Sequence, residues 1–423
     1  MQFIADLHIH SHYSRATSKD LTPDALWRWA QLKGISVMGS GDFTHPKWFR
    51  ELQDKLVPHA NGLYSLKKEF RTDSVPDSCR GEVCFLLSSE ISCIYKKNGR
   101  TRKIHSIVIV PGFSDAKKLS TTLAKIGNLN ADGRPILGLD AKELLRIVLE
   151  TSPDGMLIPA HAWTPHFSVF GAESGFDSLE ECFEELTPHV HAIETGLSSD
   201  PLMNRRLSAL DGIALVSNSD AHSPSKIGRE ATVFDTEVSY ASLINALKTR
   251  EGLQGTIEFF PEEGKYHYDG HRLCGISFSP GETRQHNYLC PVCGKRVTVG
   301  VMHRVEALAD RTEEYRPPAA PSYRSIIPLP EILAEALQVG VNSKAVERAY
   351  FKLLEALGNE FSILMDAPLE AIVAAGSSGI AEGIARMRSG KVNIAPGFDG
   401  EFGKIRLFEE VKKPEIKGQS LLF

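Results

Sequence analysis

The sequence has no apolar run approaching the roughly 18 residues of a membrane-spanning helix, so no membrane partner is expected. It also opens without a signal peptide: acidic and histidine residues follow Phe3-Ile4 at once, where a secretory leader would continue its apolar core. A cytoplasmic location is the expectation. An excess of positive charge is missing too. The net charge of −5 gives no overall pull toward polyanions, although phosphate contact needs only a local basic surface. No internal repeat is present. Cysteine is scarce, and its 7 copies fall into two groups. Cys79, Cys84, Cys93 and Cys182 sit among apolar residues and read as reduced thiols, whereas Cys274, Cys290 and Cys293 cluster with histidine and suggest metal before disulfide.

What is present is an alternation of short apolar runs with helical stretches up to about Phe260, the pattern of a parallel α/β architecture. The runs Phe3–His10, Ile35–Ser40, Val83–Ser89, Ile104–Pro111, Met156–Pro159, His189–Ile193 and Ile213–Ser217 read as buried strands. Thr22–Lys33, with a threonine cap and Pro23 at the first position, reads as a helix, as do Asp140–Glu150 and Tyr240–Arg250. Lys96–Lys103 reads as the basic tip of a hairpin turned at Asn98-Gly99. The expected organisation is a catalytic domain over 1–262, a compact module over 263–312, a Pro-rich linker over 313–328 and a mainly helical domain over 329–423.

Each strand ends in, or leads into, a residue able to bind metal. The first delivers His8 and His10, two apart and so on one face. The next ones bring Asp42 with His45, then Glu90, His105, His161, Glu194, and finally Asp220 with His222. In a closed barrel all these ends open on one face. His105 is the exception, since it starts its run, and it reaches that face only if the strand is shorter or reversed. Carboxylates mixed with imidazoles suit zinc, manganese or iron, not calcium. The set is too large for one ion, so a centre of two or three metals is expected. Clustered metals suit phosphoester cleavage.

His8-Ile-His10, Asp42, Glu90, His105, His161 and Asp220-Ala-His222 resemble the motifs of the polymerase-and-histidinol-phosphatase (PHP) superfamily. That resemblance implies a seven-stranded β/α barrel with a multinuclear metal site of zinc, manganese, iron or magnesium. The superfamily usually has Asp and His adjacent in its second motif, so Asp42-Phe-Thr-His45 makes His45 a displaced member. Gly41-Asp-Phe-Thr-His-Pro-Lys-Trp48, Tyr266-His-Tyr-Asp-Gly-His-Arg272, Cys290-Pro-Val-Cys-Gly-Lys295 and His303-Arg-Val-Glu306 narrow the match: together they resemble the endonuclease Q family. The resemblance implies a DNA repair nuclease, hence nucleoid-associated. It would use metal-activated water to cut 5′ to deaminated bases (hypoxanthine, uracil, xanthine) and abasic sites, leaving 3′-hydroxyl and 5′-phosphate ends. His8, His10, Asp42, Glu90, Asp220 and His222 would then be catalytic, and Glu194 would support the ligands. Two other readings compete: a small-molecule phosphoesterase of the histidinol-phosphatase type, and a DNA-binding adaptor on a decayed barrel.

His271-x2-Cys274 and Cys290-x2-Cys293 are two knuckles separated by fifteen residues, the spacing of a closed structural zinc site, with His286 or His303 as alternatives to His271. For DNA contact the candidates are Lys96, Lys97, Arg100, Arg102 and Lys103 in the hairpin, Lys226 and Arg229 after the last strand, and Trp163, Phe167 and Phe170 for stacking. Each has a plain structural alternative as solvated surface or loop core. Ala375–Ile384 is faintly like a helix-hairpin-helix. Gln419, Leu422 and Phe423 in the last five residues resemble a sliding-clamp peptide.

Overall fold

Side-chain alternation along strands sends one residue in two to the interior, and here those residues meet. The strands that carry the site are β1 (Gln2–Asp6), β2 (Val37–Gly39), β3 (Cys84–Lys97), β4 (Arg100–Val110), β5 (Met156–Pro159), β6 (Ala192–Glu194), β7 (Ala214–Val216), β8 (Ala231–Asp235) and β9 (Leu253–Glu258). This is a computed structural model, and it describes residues 1–318 and 320–408. Ala5, Val37, Leu86, Ile107, Ile158, Ala192 and Val216, one from each of β1 to β7, share a single apolar interior, closed at one end by Leu243 and Leu247 of the helix Tyr240–Thr249. Each large aliphatic so buried contributes roughly 1.5–3 kcal/mol.

The sheet is mixed rather than all parallel. β1, β2 and β3 are parallel neighbours, but β8 runs antiparallel to β1 and β9. β4 pairs antiparallel with both β3 and β5. The cause is the expected hairpin: Asn98 and Gly99 take φ of 53° and 74°, the left-handed pair that a tight two-residue turn requires. The chain therefore reverses at once, and β3 runs past Ser89 to Lys97, so Glu90 is mid-strand. The parallel pair β6–β7 is joined to the rest by scattered bonds instead of a ladder, among them Ala162 N to Glu194 O at 2.9 Å, the reciprocal Ser217–Thr232 Oγ1 pair at 3.0 and 2.9 Å, and His10 N to Ala221 O at 3.2 Å.

The helix Pro23–Lys33 forms as its ends dictate, with Thr22 Oγ1 accepting from Ala25 N and Gly34 at φ 92° ending it. Its Lys33 makes a buried 2.7 Å ion pair with Glu360, which also accepts from Leu329 N and Tyr350 Oη. That network fastens the helices Leu329–Leu337, Lys344–Leu357 and Glu360–Met365 to the helix Pro23–Lys33. The Pro-rich segment is more than a spacer, since Ser322–Ser325 pairs parallel with β9. Beyond the helices, the chain returns as a hairpin, Asn393–Ala395 with Lys404–Arg406. Its Asp399 accepts from Arg272 N and Thr298 Oγ1 in the cysteine module. Among the described residues no helix is long and apolar enough to cross a membrane. Gln419, Leu422 and Phe423 lie outside the described residues.

Candidate metal centre

His8 and His10 leave the end of β1 on one face, and each imidazole is fixed from behind by a carboxylate. Glu194 lies 3.0 Å from His8 Nδ1 through both oxygens, and also accepts from His161 N at 2.8 Å and Asn218 Nδ2 at 2.9 Å. Asp42 Oδ1 lies 3.1 Å from His10 Nδ1, while its Oδ2 accepts from the Ser11 amide, the Ser11 hydroxyl and Ser14 Oγ. The Nε2 atoms of both rings therefore face forward, as carboxylate-oriented metal ligands do.

The second contribution comes from the β3–β4 hairpin. Glu90 is opposite Ile107 and Ser92 is opposite His105, so Glu90 and His105 are diagonal neighbours on one face. Reversal of β4 brings His105 to the site despite its place at the start of the run. Glu90 Oε1 is 2.7 Å from His105 Nδ1 and 3.0 Å from His161 Nε2. Glu90 Oε2 is 3.4 Å from His10 Nε2 and 3.6 Å from His8 Nε2, and Asp220 Oδ1 is 3.0 Å from His10 Nε2. Two ligand groups result, one of four residues and one of three. His8, His10, Glu90 and Asp220 each offer a ligand atom within 4.8 Å of the others, and so do Glu90, His105 and His161. Glu90 belongs to both.

Other expected ligands stand apart from these two groups. Asp42 is behind His10, with both oxygens engaged as described. His222 turns its Nδ1 to the Asp220 carbonyl at 2.8 Å and packs edge-on against His10. His45 caps the helix Pro46–Lys55, its Nδ1 accepting from Trp48 N, and stacks on Tyr13. Phe43 and Thr44, the two residues between Asp42 and His45, form a turn that leads into that helix, so His45 falls at its N-cap. His12 bonds the Leu21 carbonyl. Asp42, His161 and Asp220 all hold positive φ, 47°, 32° and 45°, a conformation sustained only where the surroundings over-determine it.

The electrostatics are those of a site short of positive charge. Burial opposes the cation at His8, yet Glu194 and Glu90 hold its pKa well above the ordinary value. Burial likewise opposes it at His10, where Asp42 and Asp220 prevail. Burial should raise Glu90 and Asp220, but the neighbouring imidazoles draw both far down. Of the two rings sharing Glu90 Oε1, burial presses His105 down to about 4, whereas His161 stays above its usual value through Glu90 despite burial. Protons on these imidazoles stand where a divalent ion would replace them. His8 Nε2 is moreover buried with no hydrogen-bond partner, a vacant donor aimed between Glu90 and Asp220. The residues present fit a resident metal.

One residue at this centre escaped the sequence reading. Arg134 Nη1 donates to Glu90 Oε2 at 3.0 Å from a loop tied down by Asp132, whose Oδ1 accepts from Arg15 N and Arg134 N. The loop lies so close that a Cβ on Gly133 would fall 2.3 Å from Asp42 Oδ2. No ligand spacing marks this Asp-Gly-Arg turn; its only signal was a lone cation beside a glycine.

Most of the DNA-contact candidates are already occupied. Trp163 is fully buried and donates to Asn204 Oδ1, and Phe170 packs against it. Arg102 is buried, donating to the Gly175 carbonyl and stacked over Phe176. Lys97 pairs with Glu184, Lys226 with Glu331, and Arg229 donates to the Ser219 and Asp220 carbonyls. Lys96 and Arg100 remain exposed at the hairpin tip. Phe167 alone of the three aromatics reaches the centre, its ring 4.6 Å from His105 and 5.3 Å from Lys103 Nζ.

The knuckles come together as expected: His271, Cys274, Cys290 and Cys293 each bring a ligand atom within 4.8 Å of the others. Their alternatives are used elsewhere. His286 stacks flat on Phe278, and His303 lies between Asp269 and Tyr288. Four protein ligands would fill a tetrahedral site and leave no position for water, so no chemistry is assigned to it.

Residues 328–391 match the family described as MJ0043 C-terminal domain, and residues 203–251 the family described as PHP-associated. YqxK of Bacillus subtilis is 31% identical over 417 residues, covering 95% of this chain and 98% of the relative. The crystal structure of the lesion-specific endonuclease PfuEndoQ from Pyrococcus furiosus is 32% identical, with TM-score 0.84 and 98% of both chains covered. A crystal structure of endonuclease Q with a 27-mer duplex carrying an abasic lesion at the active site is 31% identical, with TM-score 0.82 and 99% of both chains covered. Likeness at this level, along the whole length and around a carboxylate–imidazole centre, places the chain in the endonuclease Q family of metal-dependent DNA endonucleases.

Proposed function

We propose that the chain is a DNA repair endonuclease that hydrolyses the phosphodiester 5′ to abasic sites and deaminated bases, leaving 3′-hydroxyl and 5′-phosphate ends. The observation that carries this reading is Glu90, one carboxylate common to both candidate ligand groups. Two divalent ions held there (zinc, manganese, iron or magnesium) would supply Lewis-acid stabilisation of the attacking and leaving oxygens. His8, His10, Glu90 and Asp220 would hold one, and Glu90, His105 and His161 the other. Glu194 and Asp42 keep the two leading imidazoles in their working orientation. Arg134, reaching the centre from its partly open side, is placed to meet a phosphate oxygen. Phe167 offers a flat apolar face beside His105, suited to a nucleotide turned out of the duplex.

The abasic lesion bound by the related endonuclease supports the first part of this specificity; the family resemblance of the sequence supports the deaminated bases. Delivery by a sliding clamp through Gln419, Leu422 and Phe423 belongs to the same proposal. The structural zinc at His271, Cys274, Cys290 and Cys293 holds the module's two knuckles together.

The test is incubation with manganese or magnesium and end-labelled duplexes bearing an abasic site, uracil, hypoxanthine or no lesion. A single nick 5′ to each lesion is expected. Phosphate release from monoesters without any nick would replace this reading with a metabolite phosphatase.

A further inference from the structure

Beside the loops that carry Asp42 and Arg134 lies a cleft of about 540 Å³ that the metal centre does not use. The helices Pro46–Lys55 and Phe113–Leu123 form two of its walls, and the loop 127–130 forms the third. Phe43 and Thr44 on one side follow Asp42 in the chain, and Leu129 and Asn130 on another precede Asp132 and Arg134. None of the residues in the two ligand groups lines it.

The charge of this lining is one-sided. Arg50 and Lys117 are exposed on it, and no aspartate or glutamate lines it. Neither cation makes an ion pair among the described residues; Arg50 Nε donates to the Pro46 carbonyl of its own helix at 3.3 Å. Lys97, Lys226 and Arg134, by contrast, are each held by a carboxylate. Two cations on one cleft without a counter-ion favour an anionic ligand.

The rest of the lining suits a flat ring. Phe43, Phe49 and Leu129 supply apolar surface, and Phe49 is braced edge-on against Phe113 at 5.5 Å. Gln53 and Asn130 add amides, groups that both donate and accept. The volume falls within the roughly 300–1,000 Å³ of small-molecule sites.

We propose that this cleft binds a free mononucleotide, its base against Phe49 and Leu129 and its phosphate on Arg50 and Lys117. An aromatic wall takes any base by its face, while the unpaired cations demand the phosphate. Such a site is independent of the nuclease reading, because it uses none of the metal ligands.

The test is calorimetric titration of the full-length chain with deoxyadenosine monophosphate, deoxyadenosine and inorganic phosphate. The nucleotide should bind with a Kd below about 1 mM, and the nucleoside and phosphate should each bind at least about tenfold more weakly. R50Q/K117Q, which alters only exposed side chains, should weaken the nucleotide at least about tenfold. Glu90→Ala should bind it as the wild type does. No binding up to about 1 mM, or phosphate binding as tightly as the nucleotide, overturns the site. Binding kept by R50Q/K117Q and lost by Glu90→Ala would put the nucleotide on the metal centre and overturn it as well. Displacement of the nucleotide by a lesion-free duplex would make a DNA strand the occupant and overturn the free ligand. A chain that binds the nucleotide through Arg50 and Lys117 yet never nicks a lesion overturns the nuclease reading alone.

Discussion

Glu194 grips His8 through both carboxylate oxygens, each 3.0 Å from Nδ1, and so commits the opposite nitrogen to the space beside Glu90 and Asp220. Removing the grip should therefore weaken metal retention without removing a ligand. In Glu194→Ala, metal affinity is expected to fall by about 10–100-fold, as for other orienting carboxylates. Metal titration followed by mass spectrometry checks this. Unchanged affinity would mean that Glu194 only fills space.

His45 and His10 should separate cleanly. Because His45 caps a helix and stands clear of the two ligand groups, His45→Ala is expected to lower stability by about 1 kcal/mol and keep near wild-type nicking. His10→Ala should abolish nicking. Thermal melts read the first and a nicking assay the second; a dead but metal-replete His45→Ala would return His45 to the catalytic set.

Arg134 touches the carboxylate on which both groups depend. Arg134→Ala should lower kcat by about 10²–10³-fold, the usual loss for a positioned charge-stabilising donor, while the metal content stays at the wild-type level. Arg134→Lys should recover part of the rate. A loss of metal in Arg134→Ala would make the residue a prop for Glu90 instead.

Deep in the fold, Glu258 accepts from Ser217 Oγ at 2.7 Å and Thr195 Oγ1 at 3.2 Å, and burial raises its pKa to about 8. The folded pKa thus exceeds the ordinary 4.5, so the folded state holds a proton that the unfolded chain releases. The associated stability is complete below the ordinary value and declines as pH rises toward about 8. The slope is at most about 1.4 kcal/mol per pH unit. Glu258→Gln, permanently neutral, should flatten this decline in melting temperature between pH 5 and pH 8 (chosen as roughly spanning the two pKa values). An identical pH profile in the variant would show that Glu258 is ionised in the fold.

Much of this centre was legible because strand ends carry their chemistry in short, recognisable pairs. His8-x-His10 needed only the rule that alternate residues share a face; Asp220 reaches His10 from the loop after the last strand, while His222 turns to the Asp220 carbonyl. His105 looked misplaced at the start of its run; the Asn98-Gly99 turn was readable, and reversal, one of the two ways left open for His105 to reach the face, is the one the fold adopts. Asp42 and His45 show the limit of ligand counting. Both are the right residue types at a strand end, yet one backs up His10 and the other caps a helix, because side-chain direction after a strand depends on backbone angles that spacing does not encode. Basic residues proved the least informative. The Lys96–Lys103 run reads as a polyanion site, but Lys97 and Arg102 are spent on Glu184 and the Gly175 carbonyl across the fold. Arg134 is the reverse case, inconspicuous in sequence and brought to Glu90 by a loop fold.

The most direct test of the account is the metal content of Glu90→Ala beside the wild-type chain, with nicking of an abasic-site duplex followed in the same samples. If Glu90 joins two ion sites, the variant should retain only the metal bound by the cysteine module and should not nick. A variant that keeps all the wild-type metal, or nicks at the wild-type rate, would contradict it.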